Sequence, residues 1–105
     1  MSRMDALKGF LDEDPNDSFS RYALAMEYIK LGQHDAGIAE FSTIVEKDPA
    51  YVATYYQLAK AYEREGRVPE AVETYRKGIE VATQAADLHT RDELREALTM
   101  LEGTL

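Results

Sequence analysis

Sliding the 105-residue chain against itself by 34 positions brings Tyr22 onto Tyr56, Leu24 onto Leu58, Ala25 onto Ala59, Tyr28 onto Tyr62 and Gly32 onto Gly66. Downstream, Gly37 meets Ala71, Ile38 meets Val72, Phe41 meets Tyr75, Val45 meets Ile79 and Glu46 meets Glu80. Asp14-Pro15 falls on Asp48-Pro49, and Met4, Leu7, Phe10 and Leu11 fall on Ile38, Phe41, Ile44 and Val45. A fixed period of this length restricts a chain to a stacked array. Each unit is one supersecondary element that cannot bury its own apolar face, so neighbours must shield one another.

Within a unit the apolar spacing is helical. Leu24, Ala25, Tyr28 and Leu31 recur at three- and four-residue steps, as do Ile38, Phe41, Ile44 and Val45, which predicts two amphipathic helices per unit. Gly32 and Gly66 suit the left-handed residue that ends a helix. Pro69 suits the first turn of the next, where its missing N–H costs nothing, and Pro49 stops the second helix. Thr83 stands where a second proline would fall, so the last full-unit helix is expected to run past it, to about Ala86.

The ends read as partial units. Residues 1–14 form one helix with Met4, Leu7, Phe10 and Leu11 on one face, in the register of a preceding unit's second helix. That half-unit is equally the remnant of more repeats. Thr90 followed by Glu93 reads as a capping box, opening a helix in which Leu94, Ala97, Leu98 and Leu101 form one stripe. Arg91, Asp92, Arg95, Glu96 and Glu102 lie outside that stripe, and a polar outer face leads us to expect the stack to end there. The expected architecture is all-α, one domain over 1–105 with about six helices: a half-unit (1–14), two full units (18–51 and 52–85) and a capping helix (87–102).

The two units resemble the tetratricopeptide repeat, whose pattern has the same length and sets Trp, Leu, Gly, Tyr, Ala, Phe and Pro at fixed offsets. Residues 18–51 supply Leu24, Ala25, Tyr28, Phe41 and Pro49 at those offsets, and residues 52–85 supply Leu58, Ala59, Tyr62, Ala71 and Tyr75. Arg21 and Tyr55 stand at the Trp position, Gly37 replaces Ala, and Thr83 replaces Pro. The resemblance implies a right-handed α-solenoid of antiparallel helix pairs. It also implies an inner wall, lined by the first helix of each unit, that holds peptide or helix segments of partner proteins without catalysis or cofactor.

Helical arithmetic assigns that wall. Phe19, Tyr22, Met26 and Ile29 fall on a face turned away from Leu24, Ala25 and Tyr28. Ala53, Tyr56, Lys60 and Glu63 take the matching places, with Lys30, Arg64 and Arg67 near the rim. The candidate contact residues are Phe19, Tyr22, Met26, Ile29, Lys30, Tyr56, Lys60 and Arg64. An apolar stripe backed by cations suits a partner with apolar anchors and some acidic character. Some members of the family grip a C-terminal carboxylate with a Lys–Asn pair on the first inner helix. Tyr22 and Met26 occupy those places here, so that clamp is not expected. Two other readings compete. Phe19 could pack on the N-terminal helix and Tyr22 on Tyr56, leaving no free patch, or a two-fold dimer could bury the stripe.

Composition excludes more than it selects. Hydrophobic residues make up 45% of the chain and charged residues 30%, too apolar for disorder. No apolar run reaches the roughly 18 residues that a membrane span needs. A net charge of −8 disfavours phosphate backbones and anionic lipid surfaces. Absent cysteine removes disulfides, thiolate nucleophiles and zinc–thiolate sites. The first residues lack the apolar core and cleavage site of a secretory signal, and together these features lead us to expect a cytoplasmic protein. Asp87, His89 and Glu93 are too loosely spaced to argue for a metal, and neither a nucleophile elbow nor a Gly-rich phosphate loop occurs.

Overall fold

The computed structural model describes residues 2–105. They form six α-helices: α1 (Arg3–Glu13), α2 (Ser18–Lys30), α3 (His34–Lys47), α4 (Ala53–Arg64), α5 (Val68–Gln84) and α6 (Leu88–Glu102).

Local chemistry sets the ends. Asp17 caps α2 by accepting from the Ser20 N–H, and Asp87 caps α6 by accepting from the Thr90 N–H. A carboxylate at this point satisfies an orphan donor and complements the positive end of the helix dipole. The expected Thr90–Glu93 capping box is therefore corrected: α6 starts at Leu88, and Thr90 lies inside it as a donor to the Asp87 carboxylate. The Thr90 hydroxyl also donates to that carboxylate, 2.8 Å away.

Three helices close in one way. Gly32 and Gly66 adopt φ of 78° and 72°, and Ala86 adopts 56°. The next residue in each case donates back into the helix: Gln33 to the Tyr28 carbonyl, Arg67 to Tyr62 and Asp87 to Ala82, at 2.9, 2.8 and 2.9 Å. These are Schellman closures, with the left-handed residue just past the helix end. The helix α5 does run past Thr83, to Gln84.

Helix α2 packs on α3 and α4 on α5, while α3 against α4 joins the units. Outside them, α1 packs on α2 and α6 on α5, giving a body of 43 × 29 × 19 Å. The core follows this order in three clusters. Leu7 and Leu11 of α1 meet Ala23 and Leu24. Ala25, Ile38 and Phe41 meet Leu58 and Ala61 of the next unit. Tyr55, Ala59, Ala71, Tyr75 and Ala82 meet Leu94, Ala97 and Leu101 of α6. Burying each such Leu contributes about 1.5–3 kcal/mol, which is how units that are individually unstable hold together.

Small residues set the approach. A Cβ on Gly37 would lie 2.5 Å from Ile29 Cδ1, and one on Gly78 would lie 2.6 Å from Tyr55 Cβ. Phe10, expected on the packed face of α1, is 52% exposed. Helix α1 packs chiefly on α2 through Leu7 and Leu11, and among the described residues no other helix covers Phe10. The two residues at the Trp position are both employed. Arg21 pairs with Glu40 of α3 at 2.7 Å and donates to the Pro15 carbonyl at 2.9 Å. Tyr55 is buried and its hydroxyl donates to the Pro49 carbonyl.

Candidate partner-binding face

The candidate residues of α2 divide into free and employed. Phe19, in the first turn, is 72% exposed, so the reading in which it packs on α1 is set aside. Tyr22 is half-buried. Its ring lies edge-on to Phe41, with centroids 5.7 Å apart, and stacks on Tyr51 rather than on Tyr56. Burial pushes its hydroxyl pKa above the ordinary value. Met26 is half-buried against the cluster that contains Leu58 and Ala61 of α4. Ile29 turns toward Gly37, where its methyl occupies the space a Cβ would need. Lys30 is exposed in the last turn.

Helix α4 presents Tyr56 and Lys60. The Lys60 ammonium lies 5.5 Å from the centre of the Tyr56 ring and 3.7 Å from a carboxylate oxygen of Glu63. That same carboxylate accepts from the buried Tyr75 hydroxyl. Burial first, then the Glu63 hydrogen bond and charge, hold Tyr75 neutral well above the usual tyrosine range. Arg64 is exposed in the last turn of α4, while Arg67 lies over the Tyr62 ring at 4.7 Å.

A cleft of about 160 Å³ runs between α4 and α6, lined by Tyr56, Lys60, Glu93, Glu96, Ala97 and Met100. Met100 is 68% exposed. Reading α6 only as a cap missed this contribution. The signal was present: Asp87, Thr90 and Leu94 repeat the spacing of Asp17, Ser20 and Leu24, so α6 starts as the first helix of a unit does. A second cavity, about 230 Å³, lies between α3, α4 and α5 over Val45, Tyr55, Leu58 and Tyr62, with Glu73 and Lys77 also lining it. Nothing in the apolar periodicity marked it.

The ionisable residues weighed as chemistry are employed elsewhere. His34 of α3 pairs with Glu65 at 2.6 Å, tying the two interhelix turns together. His89 pairs with Glu93 one turn on, at 3.2 Å, and Asp87 is the α6 cap. Among the described residues no three His, Asp, Glu or Cys side chains gather to hold a metal ion. No helix among them is long and apolar enough to cross a membrane.

This geometry has known counterparts. A tetratricopeptide repeat domain protein from Salinibacter ruber, solved by crystallography, is 45% identical and superimposes with a TM-score of 0.79, covering 83% of this chain and 97% of that one. The type III secretion translocator chaperone SycD of Yersinia enterocolitica shares the fold at a TM-score of 0.87 over 96% of this chain and 70% of its own, with 16% identity. In sequence, the small glutamine-rich tetratricopeptide repeat-containing protein 2 of Mycosarcoma maydis is 34% identical over 71 residues, 68% of this chain and 20% of that protein. The present chain thus spans about a fifth of that relative's length. The family profile described as tetratricopeptide repeat matches residues 22–87, and with helix pairs, Gly-closed turns and small-residue seams all in register, the chain belongs to the tetratricopeptide repeat family.

Proposed function

We propose that the flank formed by α2, α4 and α6 holds a peptide or helical segment of a partner protein, and that its work is equilibrium binding without catalysis. Tetratricopeptide folds generally mediate protein–protein interaction. The observation that supports this face in particular is Phe19, a large apolar side chain left in solvent at the opening of the first inner helix. Met26 and Tyr56 lie half-buried on α2 and α4, and Met100 is exposed on α6. Aromatic and methionine side chains are the types enriched at protein–protein interfaces.

Affinity capture with the wild type and with Phe19→Ala plus Met26→Ala, read by quantitative mass spectrometry, tests the proposal. Loss of the captured set in the variant, with helicity retained, is the expected result. Retention of the same proteins would remove this face from consideration. Self-association through the same apolar positions is the alternative, and light scattering over a concentration series separates the two. A dimer mass that collapses to monomer on Phe19→Glu would replace the heterologous partner with a second copy.

A further inference from the structure

Resting on that binding face, we infer that the segment it takes is basic at one end and apolar at the other, with Lys or Arg over α6 and an aromatic or aliphatic anchor at Phe19 and Met26. The charge on the α6 side carries the argument. Glu96 is exposed and in no ion pair among the described residues, and Glu93 pairs only with His89 on its own helix. Both line the cleft with Met100. Lys60, the cation among the cleft's lining residues, turns to the Glu63 carboxylate and the Tyr56 ring and makes no ion pair with Glu93 or Glu96.

An exposed methionine beside two carboxylates suits a long cationic side chain, whose methylene stem covers the thioether while its head reaches the oxygens. The chain's net charge of −8 attracts such a segment at long range. A basic segment departs from the partially acidic partner expected from Lys30, Lys60 and Arg64. Lys30 and Arg64 sit in the last turns of α2 and α4, where the negative helix end already favours a cation.

Helix α4 stands between α2 and α6 on this face, with Met26 of α2 packed against the cluster of its Leu58 and Ala61, and its Tyr56 and Lys60 across the cleft from α6. An extended segment advances about 3.3–3.6 Å per residue. The apolar anchor and the basic residue should therefore stand several residues apart, with α4 spanned between them.

A display library of random dodecapeptides, selected on the full chain, tests the inference. Enrichment of Lys or Arg at that distance from an aromatic or aliphatic residue is expected. Fluorescence anisotropy should show affinity for the selected peptides falling about tenfold on Glu93→Gln plus Glu96→Gln, and falling also in high salt. Enrichment of Asp and Glu overturns the basic segment but leaves the binding face standing if Phe19→Asp still abolishes binding. Selected peptides indifferent to both sets of substitutions overturn the face as well. A selection that enriches nothing overturns both.

Discussion

The ring of Tyr22 stacks on that of Tyr51, with centroids 5.8 Å apart and planes 14° from parallel. A side chain read as part of a free wall is thus clasped by the last residue of the first unit, in the turn before α4. The consequence is a stability role for the first inner helix. Tyr22→Ala is expected to destabilise by about 1–3 kcal/mol, through lost burial and a lost aromatic pair, whereas Tyr22→Phe should be close to neutral. Urea unfolding followed by circular dichroism measures both. An unchanged midpoint for Tyr22→Ala would show the ring to be a bystander. Phe19, which is mostly in solvent, is the cleaner probe of binding.

Two glycines in helices should respond in opposite directions. Gly78 lies where α4, α5 and α6 converge, and a Cβ there would sit 2.6 Å from Tyr55 Cβ and 3.0 Å from Leu94 Cδ1. Gly78→Ala must therefore push helices apart, at a cost of about 1–3 kcal/mol. Around Gly9 of α1 nothing lies within 4 Å of such an atom, so Gly9→Ala should gain about 0.5–1 kcal/mol from helix propensity. Thermal melts of the two variants should bracket the wild type. If both shift the same way, the close approach at Gly78 is not what limits the packing.

Much of this fold was legible because helix pairs, turns and seams repeat. Gly32 and Gly66 announced their closures, and Ala25, Ala59, Gly37 and Ala71 marked the close contacts. What stayed hidden depended on neighbours that periodicity does not report. Phe10 shares an apolar face with Leu7 and Leu11, yet it is half exposed, because α1 packs chiefly on α2 through Leu7 and Leu11 and leaves Phe10 outside that contact. Ile29 shares a stripe with Phe19 and Met26, but the missing side chain of Gly37 draws it toward α3. The cap of α6 was misassigned because Thr90 and Glu93 satisfied a familiar pattern while Asp87, the actual cap, stood three residues ahead. In the candidate face, α2 and α4 could be read from the register, while the share of α6 required knowing that it lies beside α4.

Stability should fall at both ends of the pH scale for different reasons. Hydrogen bonds from Ser20 and Thr90 hold the cap carboxylates Asp17 and Asp87 below their ordinary 3.8. Their contribution is present above that value and is lost as pH falls through the folded-state value. Burial raises Tyr22, Tyr51, Tyr55 and Tyr75 above the ordinary 10.0. Their contribution is complete below 10.0 and is lost as pH climbs beyond it, because the unfolded chain ionises first. Urea midpoints plotted against pH should be flat between about 5 and 9 and drop on either side. Asp17→Asn with Asp87→Asn keeps the caps but removes the acidic titration, so the acid limb should flatten. An acid limb unmoved by the pair would assign the loss to other carboxylates.

The third helix closure holds an avoidable strain. Ala86 adopts φ of 56° where the equivalent Gly32 and Gly66 adopt 78° and 72°, and the Asp87 N–H still reaches the Ala82 carbonyl at 2.9 Å. An L-residue in this region carries a clash between its Cβ and the backbone that glycine lacks. Ala86→Gly is therefore expected to stabilise by about 1 kcal/mol, after allowance for glycine's extra freedom in the unfolded chain. Gly66→Ala, the reverse change at the matching closure, should destabilise by a similar amount. Chemical denaturation of both variants provides the comparison, and the pair matters because the surroundings of the two closures differ while the closing hydrogen bond, Asp87 to Ala82 and Arg67 to Tyr62, is the same. Should Ala86→Gly lower the midpoint instead, the left-handed turn before α6 is set by contacts of the Ala86 methyl and not by the Schellman hydrogen bonds.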